Sequence, residues 1–197
     1  MNKKLCTIFS FLLVFLVFSC TTFPKPQNKP TSTKPSIYID DRGTKSAQQL
    51  FNFFISKNPN AKYEKVMRLA EYYIFECNNE GINSDVAFVQ MCLETGFLKF
   101  GGLVTEDMNN FCGLGSIDKN NPGNKFETEL LGVRAHIQHL HAYGTTRQLN
   151  KPLVDPRYKY VNPRGKAPTV QELSGTWAAD KSYGTKLESL LNQLSAF

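Results

Sequence analysis

Glu94 is the residue of this sequence whose type and position most strongly suggest chemistry. It is the only carboxylate in the apolar stretch VAFVQMCLETGFLKFGG, which runs from residue 86 to residue 102. A buried carboxylate is costly unless a partner or a proton neutralises it. Gly96 is expected to end the helix that carries Glu94, which places the carboxylate at the negative end of the helix dipole. Burial and the dipole both favour the protonated form, so the sequence predicts a raised pKa for Glu94.

A carboxylic acid that keeps its proton near neutral pH is the group that glycosidic bond cleavage needs as general acid. The alternative for Glu94 is a structural ion pair with Lys99 or Arg134. Glycosidases also use a second carboxylate, unless an acetamido group of the substrate takes that part. Candidates for the second carboxylate lie later in the chain: first Glu129 and Glu127, and then Asp118, Asp155 and Asp180.

Amide and aromatic side chains in two other stretches have the chemistry to bind a sugar. NNFCGLGS contains Asn109 and Asn110, whose amides either donate to sugar hydroxyls or form turns. GTWAADKSYG contains Trp177 and Tyr183, which either stack on a sugar and place a hydroxyl near the reacting carbon, or pack in the core. These two aromatic residues are six positions apart, so they need not share a face. A basic loop over residues 151–166 either meets carboxylates of the ligand or is simply solvated.

The hydrophobic spacing predicts that a mainly α-helical domain positions these residues. We expect about six helices and one small irregular or β-hairpin lobe after the central helix. Pro59 is expected to close the first helix, and Asn60 and Gly81 to bound the second. The third begins with Ser84 as N-cap and is apolar on most sides, which is typical of a helix that runs through a core.

The same stretches, in the same order, resemble the bacterial glucosaminidase domain family, glycoside hydrolase family 73. The resemblance covers roughly residues 45–197 and is strongest in two motifs, Glu94-Thr95-Gly96-Phe97 and Asn109-Asn110-Phe111-Cys112-Gly113. WAADKSYG looks like the closing motif of the family with its tyrosine, here Tyr183. One departure is Phe97, near which the family often has a tryptophan, whereas the single tryptophan of this chain is Trp177.

The resemblance implies a lysozyme-like α fold and cleavage of the β-1,4 bond after N-acetylglucosamine in peptidoglycan. It implies that Glu94 is the catalytic acid. From the chemistry of the side chains we expect that Tyr183 assists and that amide and aromatic residues hold the glycan. These glycan-binding residues are Asn109, Asn110, Phe111, Phe97 and Trp177. Two alternatives remain: lytic transglycosylation on the same fold, and a wall-binding lipoprotein without activity.

No cofactor or metal is expected. The three histidines of HIQHLH, namely His136, His139 and His141, lack the glutamate of the H-E-x-x-H pattern. Cys77, Cys92 and Cys112 are interpreted first as small core residues, and the sequence does not decide whether two of them form a disulfide.

The N-terminal segment predicts export. Residues 1–19 combine a short basic start with an apolar run that is short for a membrane span. The following VFSC resembles a bacterial lipobox, which predicts that Cys20 is lipidated; an ordinary signal peptide is the alternative. Residues 20–43, rich in Pro, Thr and Lys, are expected to be a tether, and residues 44–197 the catalytic domain. The predicted location is a membrane-anchored lipoprotein facing the periplasm or cell wall.

The positive net charge of +6 does not indicate nucleic-acid binding. Five of the 23 basic residues, and none of the 17 acidic ones, lie in residues 1–36. The remaining chain is therefore almost neutral, without the basic excess that phosphate binding requires. We expect a monomer whose partners are glycan strands and, through the lipid, a membrane.

Overall fold

The computed structural model of the protein describes residues 34–197 and contains five α-helices in that range. They are α1 (Ala47–Lys57), α2 (Tyr63–Glu80), α3 (Ser84–Glu94), α4 (Glu129–Gly144) and α5 (Tyr183–Leu194). Three short 3₁₀ helices lie at Glu106–Met108, Tyr158–Tyr160 and Gln171–Leu173. The predicted mainly α fold is confirmed, with five α-helices where the sequence suggested about six. The lobe between α3 and α4 is irregular, since its β pairing is a single isolated bridge between Asp118 and Asn121.

Helix α3 runs through the centre of this domain and carries Glu94 at its end. Every residue from Ser84 to Cys92 is buried, and the helix packs against α1, α2, α4 and α5. A helix that is apolar on all sides avoids water only in such a position. The predicted central helix is therefore confirmed.

The helix ends are set by caps that the sequence located to within a few residues. The N-cap of α3 is Asn83, whose side chain accepts hydrogen bonds from two backbone N–H groups of the first turn at 3.0 and 3.3 Å. Ser84, the predicted cap, is the first helical residue instead. The N-cap of α2 is Lys62 and not Asn60, whereas Gly81 ends α2 in the left-handed conformation, as predicted.

A buried ion pair joins α2 to α4. Glu76 is fully buried and accepts hydrogen bonds from Nε and Nη2 of Arg134 at 3.0 and 2.8 Å. Two parallel bonds of this kind satisfy a buried carboxylate. Arg134 is thus paired with Glu76, which removes it as the predicted structural partner of Glu94.

The domain includes residues that the sequence assigned to the tether. Ile39 is fully buried, its N–H donates to the carbonyl of Pro168 at 2.9 Å, and its carbonyl accepts from the N–H of Asn83 at 2.9 Å. Thr44 and Lys45 are also fixed, because their backbone N–H groups donate to the buried Asp85 carboxylate at 2.8 and 3.1 Å. The folded domain therefore begins before residue 44.

The predicted signal peptide, residues 1–19, and the lipidation site Cys20 lie outside the described residues. Within residues 34–197, no helix has the length and apolar character needed to cross a membrane. The three cysteines in that range, Cys77, Cys92 and Cys112, are buried and free. They pack as small core residues, and no two of them form a disulfide in the described part of the chain.

Candidate active site

Glu94 is the last residue of α3, and its side chain opens into a cleft against the lobe. The residue is exposed, where the sequence predicted burial. A cavity of about 160 Å³ extends from Glu94 over Phe100, Val104 and Asn110. The carboxylate is therefore within reach of a ligand while its helix remains in the core.

Two side chains from the C-terminal part of the chain donate hydrogen bonds to one oxygen of Glu94. Nε1 of Trp177 donates to Oε1 at 2.9 Å, and the hydroxyl of Tyr183 donates to the same oxygen. Tyr183 is almost fully buried as the first residue of α5. Within residues 34–197 no cation lies within ion-pair distance of Glu94, so the structural ion-pair interpretation is wrong.

The surrounding protein raises the pKa of Glu94 above its usual value. Desolvation by neighbouring protein atoms is the largest cause, and the hydrogen bonds from Tyr183 and Trp177 oppose it. The pKa of Glu94 is therefore raised, as predicted. The cause is the many protein atoms near the carboxylate, although the side chain itself is exposed and not fully buried. A carboxyl group of this kind can hold a proton above the pH at which an ordinary glutamate loses it.

The turn after Glu94 has an unusual backbone that directs the chain away from the helix end. Gly96, Phe97 and Leu98 are consecutive residues with φ of 56°, 56° and 61°. Non-glycine residues in this region cost about 1–3 kcal/mol each. The side chain of Thr95 holds the turn, since Oγ1 donates to the carbonyl of Met91 at 2.8 Å and accepts from the N–H of Leu98 at 2.9 Å.

Two aromatic residues predicted to bind substrate point into the core instead. The ring of Phe97 packs against those of Phe53 and Phe54, with centroids 6.0 and 5.4 Å away. Phe111 is fully buried. Neither residue lines the cavity beside Glu94, and each anchors its loop to the hydrophobic core. The substrate-binding prediction for these two rings is thus corrected.

The amides of Asn109 and Asn110 organise the wall of the cleft. Asn109 has a left-handed backbone, and its Nδ2 donates to the carbonyl of Phe126 at 3.0 Å. Asn110 is 1% exposed; it donates to the carbonyl of Leu114 at 2.9 Å and accepts from the N–H of the same residue at 3.0 Å. Gly132 lets this loop approach α4, because a Cβ there would lie 1.8 Å from the Asn109 carbonyl oxygen. Direct sugar contacts of the two amides stay a prediction.

A second cavity of about 220 Å³ adjoins the first and shares Gly113 and Ser116 with it. Trp177 lines this cavity and also bonds to Glu94, so the carboxylate lies where the two cavities meet. Together they form a cleft with Glu94 near its middle. A chain of linked sugars could thus extend to both sides of the carboxylate.

Aromatic and cationic side chains form the wall of the second cavity. The rings of His139 and Tyr143 pack against Trp177, with centroids 5.1 and 5.2 Å away. Nδ1 of His139 lies 2.8 Å from the buried Asp155 carboxylate, which fixes the ring. Arg157 also lines this cavity, and its guanidinium forms no ion pair in the described part of the chain. This wall combines a ring face with a positive charge that has no ion-pair partner among residues 34–197 and stacks on the ring of Tyr160, 5.2 Å from its centroid.

The candidates for a second carboxylate lie outside the lining of both cavities. Glu129 accepts from Arg68 at 2.7 Å and lies 3.5 Å from Lys65, so it is a structural ion-pair residue at the start of α4. Glu127 is exposed. The others have local partners: Asp118 holds a turn through Asn121, Asp155 bonds to His139, and Asp180 pairs with Lys186. Among the described residues, Glu94 is the only acidic residue that lines the cleft.

Sequence reasoning missed two polar residues that lie behind Glu94. Nε2 of Gln90 donates to the Tyr183 oxygen at 2.9 Å, and Oε1 of Gln90 lies 3.0 Å from Nε2 of His136. Nδ1 of His136 in turn lies 2.8 Å from the hydroxyl of Tyr73. A glutamine in an otherwise apolar helix, four residues before the carboxylate, was the signal that could have found the first of them.

Each histidine of α4 has a polar neighbour, although Nε2 of His141 is buried without a hydrogen-bond partner in the described part of the chain. His136 bonds to Gln90, His139 to Asp155, and His141 lies 3.4 Å from the hydroxyl of Tyr158. In residues 34–197 no group of three or more His, Cys, Asp or Glu side chains has the arrangement of a metal site.

Comparison with known proteins assigns the chain to a family. The sequence profile described as mannosyl-glycoprotein endo-beta-N-acetylglucosaminidase matches residues 70–196. The chain belongs to the glucosaminidase family. An uncharacterized protein of Borreliella burgdorferi is 36% identical to this glucosaminidase over 190 residues, which cover 95% of this chain and 93% of the relative. Membership of this family makes the protein a glycoside hydrolase.

Solved structures show the same fold in an autolysin. Autolysin E of S. aureus in complex with the muropeptide NAM-L-Ala-D-iGlu has a TM-score of 0.52 and 14% sequence identity to this glucosaminidase. A catalytic mutant of autolysin E, with a glutamate replaced by alanine and the disaccharide NAG-NAM bound, gives the same values. In both cases the match covers 83% of this chain and 72% of the other chain. The lysozyme-like fold implied by the sequence is confirmed.

Proposed function

We propose that this glucosaminidase hydrolyses the β-1,4 bond after N-acetylglucosamine in the glycan strands of peptidoglycan, with Glu94 as general acid. The observation that carries the proposal is the position of Glu94, an exposed carboxyl group with a raised pKa at the middle of the cleft. Autolysin E, which has the same fold, was crystallised with peptidoglycan fragments, and its catalytic mutant lacks a glutamate. Both facts support the substrate class and the residue type.

The first step transfers the proton of Glu94 to the glycosidic oxygen, which leaves as a neutral hydroxyl. Trp177 and Tyr183 then stabilise the carboxylate that this transfer produces, because both donate to Oε1. Positive charge develops at the anomeric carbon at the same time. A nucleophile must meet that carbon from the opposite face.

We infer that the acetamido group of the substrate supplies this nucleophile, since Glu94 is the only acidic residue that lines the described cleft. The carbonyl oxygen of the acetamido group forms a bond to the anomeric carbon as the bond to the leaving oxygen breaks. Water then attacks the same carbon, gives its proton to the Glu94 carboxylate, and reopens the ring formed by the acetamido group. The acid is restored and the configuration is retained.

Digestion of purified sacculi followed by mass spectrometry tests the proposal. A reducing N-acetylglucosamine end is the expected product. An anhydromuramyl end would instead identify a lytic transglycosylase, for which one acid also suffices. Binding to sacculi without release of fragments would identify a wall-binding protein. Glu94→Gln serves as the control that separates this activity from that of a contaminating hydrolase.

We also propose that the protein is exported and anchored through a lipid on Cys20, which lies in the sequence VFSC after an apolar run. The Pro-, Thr- and Lys-rich residues that follow Cys20 would let the domain reach the wall from the membrane surface. Cys20→Ala is expected to move the protein from the detergent phase to the soluble fraction. Continued partition of this variant with membranes would contradict the proposal.

A further inference from the structure

A chain of four hydrogen bonds leads from the core to the carboxylate of Glu94. It passes from Tyr73 through His136, Gln90 and Tyr183 to Glu94. The first three residues are fully buried and Tyr183 is 5% exposed. Buried polar groups weaken a core unless their hydrogen bonds are satisfied. A polar chain of this length, directed at a candidate catalytic group, calls for a functional reason.

We propose that Gln90 and His136 are positioning residues that hold the Tyr183 hydroxyl as a donor to Oε1 of Glu94, which leaves the catalytic proton on Oε2. The role of that proton rests on the proposed function, whereas the direction of the hydrogen bonds does not. Neither Gln90 nor His136 needs to touch the substrate for this role.

The direction of the hydrogen bonds to Glu94 follows from the number of protons that each group carries. The Gln90 amide donates to the oxygen of Tyr183, so the one phenolic proton of Tyr183 is available for Glu94. Trp177 has an N–H and no acceptor, so it can only donate. Oε1 of Glu94 thus receives two donors. The proton of the neutral acid is then placed on Oε2, to which no described group donates a hydrogen bond.

His136 and Tyr73 complement this orientation of the Gln90 amide from the other side. With Oε1 of Gln90 as acceptor, Nε2 of His136 carries the proton, and Nδ1 of the neutral ring accepts from Tyr73. Burial lowers the pKa of His136 to about 3, which keeps the ring neutral. A rotated amide would present its oxygen to Tyr183 and take the phenolic proton away from Glu94.

Among the groups of this hydrogen-bond chain, Glu94 is the one whose charge changes as the pH passes through its raised pKa. Its titratable neighbours are Tyr183 on α5, Cys112 in the lobe and Tyr73 on α2, and burial raises the pKa of each of them well above its ordinary value. These neighbours stay uncharged while Glu94 titrates. A titration of Glu94 therefore reports the hydrogen bonds that it receives.

Gln90→Met tests the proposal, because methionine keeps the length of the side chain and removes both hydrogen bonds. With Tyr183 no longer held as a donor, kcat on sacculi is expected to fall roughly tenfold to hundredfold. KM is expected to stay near its original value, since Gln90 does not line the cleft. The carboxyl ¹³C resonance of Glu94, assigned by its loss in Glu94→Gln, should titrate at a higher pKa, because the donor to the ionised form is weakened.

A matched pair at position 136 separates positioning from packing. His136→Gln retains a donor for Gln90 and an acceptor for Tyr73, so it is expected to keep the Glu94 titration of the original protein. His136→Leu fills a similar volume without either group and is expected to raise that pKa. If both variants unfold, Tyr73→Phe provides the same comparison from the far end of the chain, with a smaller effect on Glu94.

The Glu94 titration tests the positioning role, and the sacculus digestion tests the proposed function, so either can fail without the other. An unchanged Glu94 titration in folded Gln90→Met overturns the positioning role, whatever that variant does to sacculi. Equal Glu94 titrations in His136→Gln and His136→Leu overturn it as well. A raised Glu94 pKa in Gln90→Met supports the positioning role even if the original protein releases no glycan fragments, a result that would refute the proposed function alone.

Discussion

Replacement of Glu94 by glutamine isolates the proton from the shape of the side chain. Oε1 of the amide can still accept from Trp177 and Tyr183, so both donors that hold the side chain keep a partner. The amide nitrogen takes the place of Oε2 and cannot give a proton to a leaving oxygen. We expect sacculus digestion by Glu94→Gln to fall by roughly 10²–10⁴, the usual contribution of general acid–base catalysis. That loss corresponds to about 2.7–5.4 kcal/mol of transition-state stabilisation.

The free energy of unfolding should change by less than about 1 kcal/mol in the same variant. Bonds from Trp177 and Tyr183 to a neutral amide are weaker than bonds to a carboxylate. Two gains oppose that loss: the amide avoids the desolvation of a charge, and it removes a negative charge from the C-terminus of α3, worth about 0.3–1 kcal/mol. The weaker hydrogen bonds lower the free energy of unfolding, and the two gains raise it by a similar amount.

The stability difference should depend on pH in a defined direction. Because the folded protein raises the pKa of Glu94, it binds more protons than the unfolded chain between the ordinary pKa and the raised one. The contribution of Glu94 to stability is therefore lost as pH rises through this window. Glutamine does not titrate. The melting temperature of Glu94→Gln relative to the original protein should thus increase with pH above about 4.5 and level off above the raised pKa.

Digestion rates and thermal melts at several pH values, measured on the same preparations, provide the assay. Glu71→Gln is the matched control, since Glu71 is an exposed glutamate on α2 and should change neither quantity. Turnover that survives in Glu94→Gln together with a lower melting temperature would refute the reasoning. That result would make Glu94 a structural residue.

Three further predictions concern other residues of the site. Tyr183→Phe removes the hydroxyl that donates to Glu94, so the alkaline limb of the pH profile of kcat/KM should move to higher pH. The amide of Gln90 loses its partner, which should lower the free energy of unfolding in denaturant melts by about 1–3 kcal/mol. An unmoved alkaline limb would contradict the role of this hydroxyl. Arg157→Gln should raise KM for peptidoglycan, whose strands carry carboxylates, but not for neutral N-acetylglucosamine oligomers; equal effects on both would refute charge recognition. Glu129→Gln should lower stability by about 1–2 kcal/mol and leave turnover unchanged, because Glu129 holds α4 to α2 through Arg68.

The sequence predicted the parts of the site that follow from local spacing. A continuous apolar pattern with one carboxylate placed Glu94 at the end of a core helix, and Gly96 located the end of that helix. These features depend on residues within a few turns of one another. The sequence also grouped Tyr183 with Glu94, although that came from a family resemblance and not from periodicity.

Spacing did not predict the direction in which a loop side chain points. Phe97 and Phe111 flank the cleft in sequence but pack inward, because each loop needs an apolar anchor and the rings supply it. For Asn110 the sequence left sugar binding and turn formation open, and the structure shows its hydrogen bonds to its own loop. Both outcomes depend on the backbone conformation of irregular segments, for which neither the helical nor the strand period gives a rule.

The hydrogen-bond partners of Glu94 could not be predicted from spacing, because tertiary contacts bring them together. Trp177 and Tyr183 lie 83 and 89 positions from Glu94 in the chain, and both reach the same oxygen only when α5 is docked against α3. Gln90 has its partner His136 on α4. An unfolded chain would leave Glu94 with an ordinary pKa. The raised pKa of Glu94 and its two ordered donors are therefore properties of the assembled domain, in which α5 packs against α3.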